Sequence, residues 1–262
     1  MATYLDRILE QHRDDAATDT DLIEDLLDQA RAQPEVRGFR AALEAASSAD
    51  VAVIAEVKRR SPSRGDLAVD LDAAQMATSY ARGGAACLSV LTDAQWFGGS
   101  VRDLQRARAA IEVPVLRKDF TVDPRDVPRA RIMGADAVLL IVAALDDHEL
   151  VDFHAIAGEL DLDVLVEVHD EAELERAVAI GADLIGVNQR DLVTFAVDTD
   201  RAVRVGASMP DSVLRVAESG IRGADDARRL ADAGFHAVLV GESLVTAGDP
   251  AQSVADLRVP RQ

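Results

Sequence analysis

The sequence predicts a (β/α)8 barrel, and three observations point to it. First, four similar segments each carry a glycine followed by an apolar run, with the glycines 50, 47 and 53 residues apart (Gly84, Gly134, Gly181 and Gly234). Second, four further apolar runs fall between those segments: VAVIAEV from 51, VPVLRK from 113, LDVLVEV from 162 and VLRVAES from 213. Third, the 262 residues are 48% hydrophobic but only 3% aromatic. Such a Val-, Leu-, Ile- and Ala-rich composition suits the interior of a parallel sheet.

The segments between these eight runs have helical patterns, such as LDAAQMATSYARGG and DEAELERAVAIG, and several open with Asp or Ser as an N-cap. Glycine is typical at the end of such a helix, because it readily takes a positive φ. Eight strands alternating with helices, at roughly 50 residues per two units, favour the closed barrel. An open doubly wound sheet is the alternative. It usually has fewer strands and a G-x-G-x-x-G after the first one, which this sequence lacks.

We expect residues 1–262 to form a single (β/α)8 barrel domain, in which residues 1–50 are a helical N-terminal extension. The segments YLDRILEQ and DLIEDLLDQARAQ look like amphipathic helices, and Pro34 breaks the second. We expect this extension to cap one end of the barrel or to cover the site.

Charge and hydropathy exclude several classes of partner. The formal net charge of −19 repels phosphate backbones and anionic lipids, so we expect no nucleic-acid and no membrane partner. The longest apolar stretch, AVLLIVAAL, falls well short of the roughly 20 residues of a membrane helix. The start, MATYLDRILEQHRDD, has no apolar signal segment, and the single Cys87 leaves no internal disulfide. The sequence therefore predicts a cytoplasmic protein.

Only two of the 28 basic residues are lysines, Lys58 and Lys118, and each ends one of the apolar runs. Lysine offers a compact charge and a proton that can be lost, neither of which arginine easily supplies. We therefore predict that both lysines carry chemistry. The acidic excess and the replacement of lysine by arginine elsewhere also suggest a halophilic protein, one that works in concentrated salt.

Polar residues stand at equivalent positions at the ends of several predicted strands. They are Glu56, Lys58, Lys118, Glu167, Asn188 and Glu218. Residues two apart on a strand share a face, so Glu56 and Lys58 point the same way. In a (β/α)8 barrel, catalytic side chains gather at the C-terminal ends of the strands. We therefore predict that these six groups converge on one cavity, where lysines donate protons and a glutamate removes one.

The loops after the seventh and eighth strands are rich in small residues that free backbone N–H groups for an anion. We predict a phosphate site there, formed by Ser219, Gly220, Gly241 and Ser243 with a short helix that begins at Glu242. The five histidines are scattered along the chain without metal-ligand spacing. We therefore expect no metal, and proton transfer by lysine and glutamate needs no cofactor.

The motifs at these strand ends resemble those of the indole-3-glycerol-phosphate synthase family. They are AEVKRRSPSRGDL (55–67), VPVLRKDFTVDPRDV (113–127), VLVEVHDEAELERA (164–177), IGVNQRDL (185–192), VAESGI (216–221) and LVGESLV (239–245). The first two are highly specific, whereas ESGI and GESL would fit several phosphate-binding barrels. The sequence reads NQRDL where many members read NNRDL, but the leading Asn188 is retained.

The resemblance implies ring closure of 1-(2-carboxyphenylamino)-1-deoxyribulose 5-phosphate, with loss of carbon dioxide and water. It implies that Lys118 is the general acid, that Lys58 and Ser61 contact the substrate carboxylate, and that Glu167 is the base. Glu56, Asn188 and Glu218 would hold these groups and the substrate hydroxyls. An apolar slot for the aromatic ring is implied at Phe97, Leu116, Phe120, Leu139, Ile141 and Leu192.

Three points stay open at this level. Arg190 is either a further cation for the phosphorylated substrate or a partner of a neighbouring carboxylate. The barrel could instead be a Schiff-base aldolase with Lys58 or Lys118 as nucleophile, although nearby carboxylates keep a lysine protonated and count against this. A non-catalytic phosphate-ligand binder is the third reading. The sequence does not decide on contact with other tryptophan-pathway enzymes.

Overall fold

In the computed structural model, which describes residues 3–191 and 193–261, eight parallel strands close into a barrel. The strands are β1 (Ala52–Val57), β2 (Cys87–Leu91), β3 (Val115–Lys118), β4 (Ala137–Ile141), β5 (Asp163–Val168), β6 (Leu184–Asn188), β7 (Leu214–Glu218) and β8 (Ala237–Val240). Residues Ala52 to Ala55 of β1 pair with Ala237 to Val240 of β8. This pairing closes the sheet, so the predicted barrel is confirmed and the open doubly wound sheet is wrong.

Twelve α-helices accompany the strands. They are α1 (Tyr4–Thr18), α2 (Ile23–Arg31), α3 (Phe39–Ala46), α4 (Ala73–Arg82), α5 (Val101–Ala109), α6 (Asp126–Met133), α7 (Asp147–Glu159), α8 (Glu171–Ala179), α9 (Arg201–Gly206), α10 (Ala224–Asp232), α11 (Glu242–Val245) and α12 (Pro250–Leu257). A 3-10 turn, Val142–Ala144, precedes α7. A short hairpin follows β1, and its two strands, Arg60–Ser61 and Gly65–Asp66, have two residues each.

The local signals in the sequence account for the helix boundaries. Asp72, Ser100, Asp146 and Asp170 each accept a backbone hydrogen bond as N-caps of α4, α5, α7 and α8. The four repeat glycines all have a positive φ, which is 89°, 95°, 80° and 85° in chain order. They turn the chain from a helix into the next strand, so the predicted role of this glycine repeat is confirmed.

In the described part of the extension, residues 3–50, the chain forms three helices, and the prediction of two was incomplete. Helix α3 lies beneath the N-terminal ends of the strands, where the backbone N–H of Arg40 donates to Asp163 at 2.8 Å and Phe39 is fully buried. It was missed because it is short and begins after Gly38 in a left-handed conformation, without a polar N-cap. The extension therefore covers both ends of the barrel, since α1 lies at the opposite, C-terminal end.

Candidate active site

One cavity of about 600 Å³ opens at the C-terminal ends of the strands. All six polar residues predicted to converge line it: Glu56, Lys58, Lys118, Glu167, Asn188 and Glu218. They meet there because each of them lies at, or within one residue of, the C-terminal end of its strand. The strands are β1, β3, β5, β6 and β7. The chain therefore gathers its two lysines and three of its glutamates in one concave site.

Lys118 lies at the centre of this group. Its Nζ donates to Oε2 of Glu167 at 2.6 Å and lies 3.2 Å from Oε2 of Glu218. Asn188 donates its Nδ2 to the other oxygen of Glu167, Oε1, at 3.0 Å. The carboxylate of Glu167 is thus fixed between a lysine on β3 and an amide on β6.

Lys58 and Glu56 form the second pair, as their shared face predicted. The Nζ of Lys58 donates to Oε1 of Glu56 at 2.5 Å, and Ser89 donates its hydroxyl to Oε2 at 3.3 Å. Gly241 leaves room for this pair, because a Cβ there would overlap the Glu56 carboxylate and lie 3.0 Å from the Nζ of Lys58. The side chains of β1 and β8 therefore fit together only with glycine at this position.

The buried charges at the cavity floor are unequal in number, and their pKa values separate accordingly. Burial disfavours the charged form of Lys118, but the carboxylates of Glu167, Glu218 and Glu56 outweigh it and raise the pKa of the ammonium. Burial alone would raise the pKa of Glu167, but the charge of Lys118, with hydrogen bonds from Lys118 and Asn188, holds it at about 2. Glu167 is therefore ionised while Lys118 is protonated.

Glu218 has the opposite behaviour. Burial, with repulsion from Glu167, outweighs the attraction of Lys118 and raises the pKa of Glu218 to about 8. Its Oε1 is buried and finds no hydrogen-bond donor among the residues described. Burial and the neighbouring charge of Glu167 therefore favour a neutral Glu218 near pH 7.

The residues predicted to bind phosphate form one wall of the same cavity. Ser219 and Gly220 both have positive φ, at 66° and 75°, and Ser243 lies in the short helix α11, whose predicted start at Glu242 is confirmed. The hydroxyl of Ser243 donates to the carbonyl of Ile221 at 3.0 Å. Ser219, Gly220, Gly241 and Ser243 all line the cavity, as does Ser61 in the hairpin after β1.

Gln189, the departure from the family motif, supports this wall. Its Nε2 donates to the carbonyl of Ser219 at 2.7 Å, so the side chain fastens the turn at Ser219 and Gly220. Arg190 lines the cavity, and its Nη2 lies 3.7 Å from Oε2 of Glu242, so the neighbouring carboxylate is identified while the contact with a phosphorylated substrate stays a prediction.

Four of the six residues implied for the aromatic slot line the cavity: Phe97, Phe120, Leu139 and Ile141. Leu116 does not belong to the lining formed by the described residues, and it is fully buried. It lies two residues before Lys118 on β3, in the barrel interior, and its place in the slot stays a prediction. Leu192 lies outside the residues that the structure describes.

Helix α1 supplies lining residues that the sequence did not identify: Tyr4, Leu5 and Ile8. The ring of Tyr4 packs edge-on against Trp96 and Phe195, with centroids 5.0 and 5.2 Å apart. Farther along α1, Arg13 forms an ion pair with Glu149 at 2.8 Å. An amphipathic pattern located this helix, but its docking depends on contacts with loops distant in sequence.

His12 is brought together with Asp93 and Asp119, which the sequence spacing did not indicate. These three could in principle hold a cation. The carboxylates are already engaged, however, because Asp93 accepts the N–H groups of Trp96 and Phe97 and Asp119 accepts a 3.1 Å bond from Arg117. Burial would lower the pKa of His12, but Asp93 and Asp119 outweigh it and raise that pKa. These three side chains therefore attach α1 to the barrel.

Comparisons with known proteins identify the family of this chain. The family model "Indole-3-glycerol phosphate synthase" matches residues 5–257. A protein of that name from a Nocardioides species is 57% identical over 207 residues, which cover 79% of this chain and 80% of the relative. Another, from Mycolicibacterium vanbaalenii, is 49% identical over 258 residues, covering 98% and 94%.

Solved structures support the fold alone. The chain is similar to a 3-hexulose-6-phosphate synthase with a TM-score of 0.64 and 17% identity, covering 79% of this chain and 98% of that one. It is also similar to a thiamine phosphate pyrophosphorylase from Pyrococcus furiosus, with a TM-score of 0.59, 18% identity, and coverage of 79% and 93%.

A closed barrel with lysines and glutamates at its strand ends defines a (β/α)8-barrel enzyme equipped for acid–base chemistry. With the matches above, it is a carboxy-lyase of tryptophan biosynthesis. The chain belongs to the indole-3-glycerol phosphate synthase family. Within the described part of the chain, none of the helices combines the length and apolar character needed to cross a membrane.

Replacing Glu218 with Gln should stabilise the fold, and the gain should grow with pH. An unfolded chain loses this proton at a pKa of about 4.3, whereas the folded carboxyl holds it up to about pH 8. Between these values the unfolded state binds fewer protons, so wild-type stability falls as pH rises, and the neutral amide removes that loss.

Thermal unfolding at about pH 5 and about pH 8.5 measures the effect, with Glu175→Gln on the exposed surface of α8 as the matched control. We expect a larger Tm advantage of Glu218→Gln at the higher pH and no such difference for the control. An advantage that is equal at both pH values contradicts the prediction.

Proposed function

We propose that this chain performs the ring closure of 1-(2-carboxyphenylamino)-1-deoxyribulose 5-phosphate by lysine and glutamate acid–base catalysis. The observation that carries the proposal is the position of Lys118, a protonated ammonium buried at the cavity floor and held by Glu167 and Glu218. The products of this reaction are indole-3-glycerol phosphate, carbon dioxide and water.

Lys118 is the proposed general acid of the first step. As the aromatic carbon attacks the ribulose carbonyl, the developing alkoxide takes a proton from Nζ, and the neighbouring carboxylates steady the geometry of the donor. The apolar rings and side chains of Phe97, Phe120 and Leu139 would receive the anilino ring beside it. Loss of the carboxylate as carbon dioxide then restores the aromatic system.

Lys58 and Ser61 are the proposed contacts of the substrate carboxylate. Both line the cavity on the side of β1, and the pair with Glu56 holds Lys58 in place until substrate arrives. Since decarboxylation removes that anion, Lys58 is then free to protonate the departing hydroxyl. Glu167, which is ionised, takes the ring proton in this dehydration.

The Schiff-base aldolase is disfavoured by the same charges. A nucleophilic amine must be neutral, and the carboxylates around Lys118 raise the pKa of its ammonium. A non-catalytic ligand binder has no need for an ionised carboxylate and a buried ammonium in contact. We therefore retain neither as the second candidate.

Lys118→Arg should retain the fold and abolish most of the turnover. Arginine keeps a positive charge but is too basic to give up a proton, so we expect kcat to fall by at least about 100-fold. Indole fluorescence reports product formation from the anilino-ribulose phosphate, with Lys118→Ala compared in the same assay.

Wild-type inactivity in that assay would overturn the proposed function. An adduct at either lysine after borohydride treatment with substrate would instead replace it with the aldolase. Circular dichroism of both variants confirms that the loss is chemical, because an unfolded variant would lose activity for another reason.

We also propose that the wall after β7 and β8 binds the substrate phosphate. The positive φ values of Ser219 and Gly220 turn this loop along the cavity, and Ser243 lies opposite it at the start of α11. Arg190 and Arg64, both lining the same cavity, add positive charge. The arrangement suits the phosphate dianion of the substrate.

Ser243→Ala should raise KM roughly tenfold, since a hydrogen bond to a charged group is lost, while kcat changes little. Ser253→Ala is the matched control, because its hydroxyl donates to the carbonyl of Asp249 on α12, outside the cavity lining. Equal KM values for the two variants would remove Ser243 from the phosphate site.

The proposed setting is a concentrated-salt cytoplasm. The net charge of −19 supports a salt-rich interior. The single cysteine, Cys87, is a fully buried free thiol, which fits a reducing compartment. The same charge argues against nucleic-acid partners. Contact with other tryptophan-pathway enzymes stays a hypothesis, because no particular surface among the described residues points to such a partner.

Stability should rise with molar KCl if the chain is halophilic. Cations screen the repulsion among the excess carboxylates, and this gain should exceed the loss of surface ion pairs. Thermal unfolding in a KCl series measures the effect, and a Tm that is flat or falling with salt contradicts the prediction.

A further inference from the structure

His169 lies directly behind Glu167 and is held in a fixed orientation. It follows the end of β5, and its Nδ1 lies 3.0 Å from Oε2 of Glu173 on α8. The same carboxylate oxygen accepts the backbone N–H of His169 at 2.8 Å. The ring is largely buried, with 11% of the side chain exposed, so Glu173 fixes both its backbone and its imidazole.

The contact with Glu173 determines which ring nitrogen carries the proton in the neutral imidazole. An ionised carboxylate only accepts hydrogen bonds, so the hydrogen must lie on Nδ1. The other nitrogen, Nε2, then presents a lone pair. This atom is buried and has no hydrogen-bond partner among the described residues, and it lies 3.6 Å from Oε1 of Glu167.

An acceptor and a carboxylate oxygen cannot bond to each other until one of them gains a proton. With Glu167 ionised and His169 neutral, the pair therefore has an unfilled place for a single hydrogen. That place is filled when Glu167 removes a proton from substrate. The two side chains lie two residues apart on one face, the same parity that brings Glu56 and Lys58 together.

We propose that His169 is a positioning residue for the dehydration step. Glu167 takes a proton from the substrate ring, and His169 then accepts this proton from Glu167. The inference rests on the proposed role of Glu167 as the base. Glu173 acts through His169, because its carboxylate stabilises the imidazolium that forms. The chain Glu173–His169–Glu167 then returns Glu167 to its ionised form before the next turnover.

The proton balance is complete. The substrate C–H bond breaks, its electrons form the new ring double bond, and the hydroxyl leaves as water with a proton from lysine. The ring proton moves to Glu167 and then to Nε2 of His169, and the imidazolium releases a proton to solvent through Glu173, which accepts its Nδ1–H and is 18% exposed. The lysine takes its proton back from solvent.

The charged groups around the ring determine its titration. Glu167 faces it from β5 and Glu173 from α8, while Arg201 of α9 is the nearby cation. Lys118 lies on the far side of Glu167 and neutralises part of that charge. Burial lowers the pKa of His169, but Glu173 and Glu167 outweigh burial and Arg201, so the net shift is upward from about 6.5.

The test is the pH dependence of kcat in wild type and two variants. His169 must be neutral to accept a proton, so wild-type kcat should fall as the pH drops through a value above about 6.5. His169→Asn cannot titrate there. We expect it to lose this acid limb and to lower kcat by roughly 10- to 100-fold, less than a direct acid or base, with KM little changed.

Glu173→Gln is the decisive variant, because its amide oxygen can still accept both hydrogen bonds from His169. Only the negative charge is removed, so the pKa of His169 should fall and the acid limb should move to lower pH. A residue that merely holds the loop would give no such shift. His148→Asn, on the exposed surface of α7, is the matched control and should leave the profile unchanged.

Nitrogen-15 NMR of histidine-labelled protein gives a readout without turnover, with His169→Asn assigning the signal. We expect the Nδ1–H tautomer in wild type and a lower pKa in Glu173→Gln. An Nε2–H tautomer, or an acid limb retained in His169→Asn and unmoved in Glu173→Gln, would overturn the proposal. Wild-type inactivity would instead reject the proposed function, so the two failures are distinguishable.

Discussion

The site depends on an unequal balance of buried charge, in which one ammonium serves two carboxyl groups. Lys118 contacts Glu167 at 2.6 Å and Glu218 at 3.2 Å, and all three are almost withdrawn from water. Two ionised carboxylates cannot both be satisfied by one cation, so their pKa values move apart. One cavity thereby holds a protonated donor, an ionised acceptor and a neutral acid at the same pH.

The barrel creates this balance through its layers. Glu56, Lys118, Glu167 and Glu218 come from β1, β3, β5 and β7, alternate strands whose inward side chains meet at one level. Of the strands between them, β4 sends the apolar side chains of Leu139 and Ile141 into the same cavity, whereas β6 contributes the amide of Asn188. On β3 the inward position before Lys118 is Leu116, which is fully buried in the barrel interior.

The sequence identified the candidate site residues that stand at the ends of strands. It did not identify those whose position depends on the packing of segments distant in sequence. Strand parity located all six polar groups, and the glycine repeat located the helix ends. Neither signal reports where α1 lies, since Tyr4 meets Trp96 and Phe195 across loops. His169 was visible two residues after Glu167, but its partner Glu173 became evident only once α8 was in place.

The scarcity of lysine also has a structural explanation in how arginine is used elsewhere. Arg37 donates one Nη atom toward the carbonyls of Arg108, Ile111 and Val113, and Arg125 binds those of Ala16 and Asp19. A guanidinium suits such bridging because its donors spread over a planar fork. The cavity floor requires the reverse, a small cation that carboxylates approach from two strands and that can release a proton. In the proposed mechanism, lysine is therefore retained where a proton must move, whereas arginine ties chain segments together.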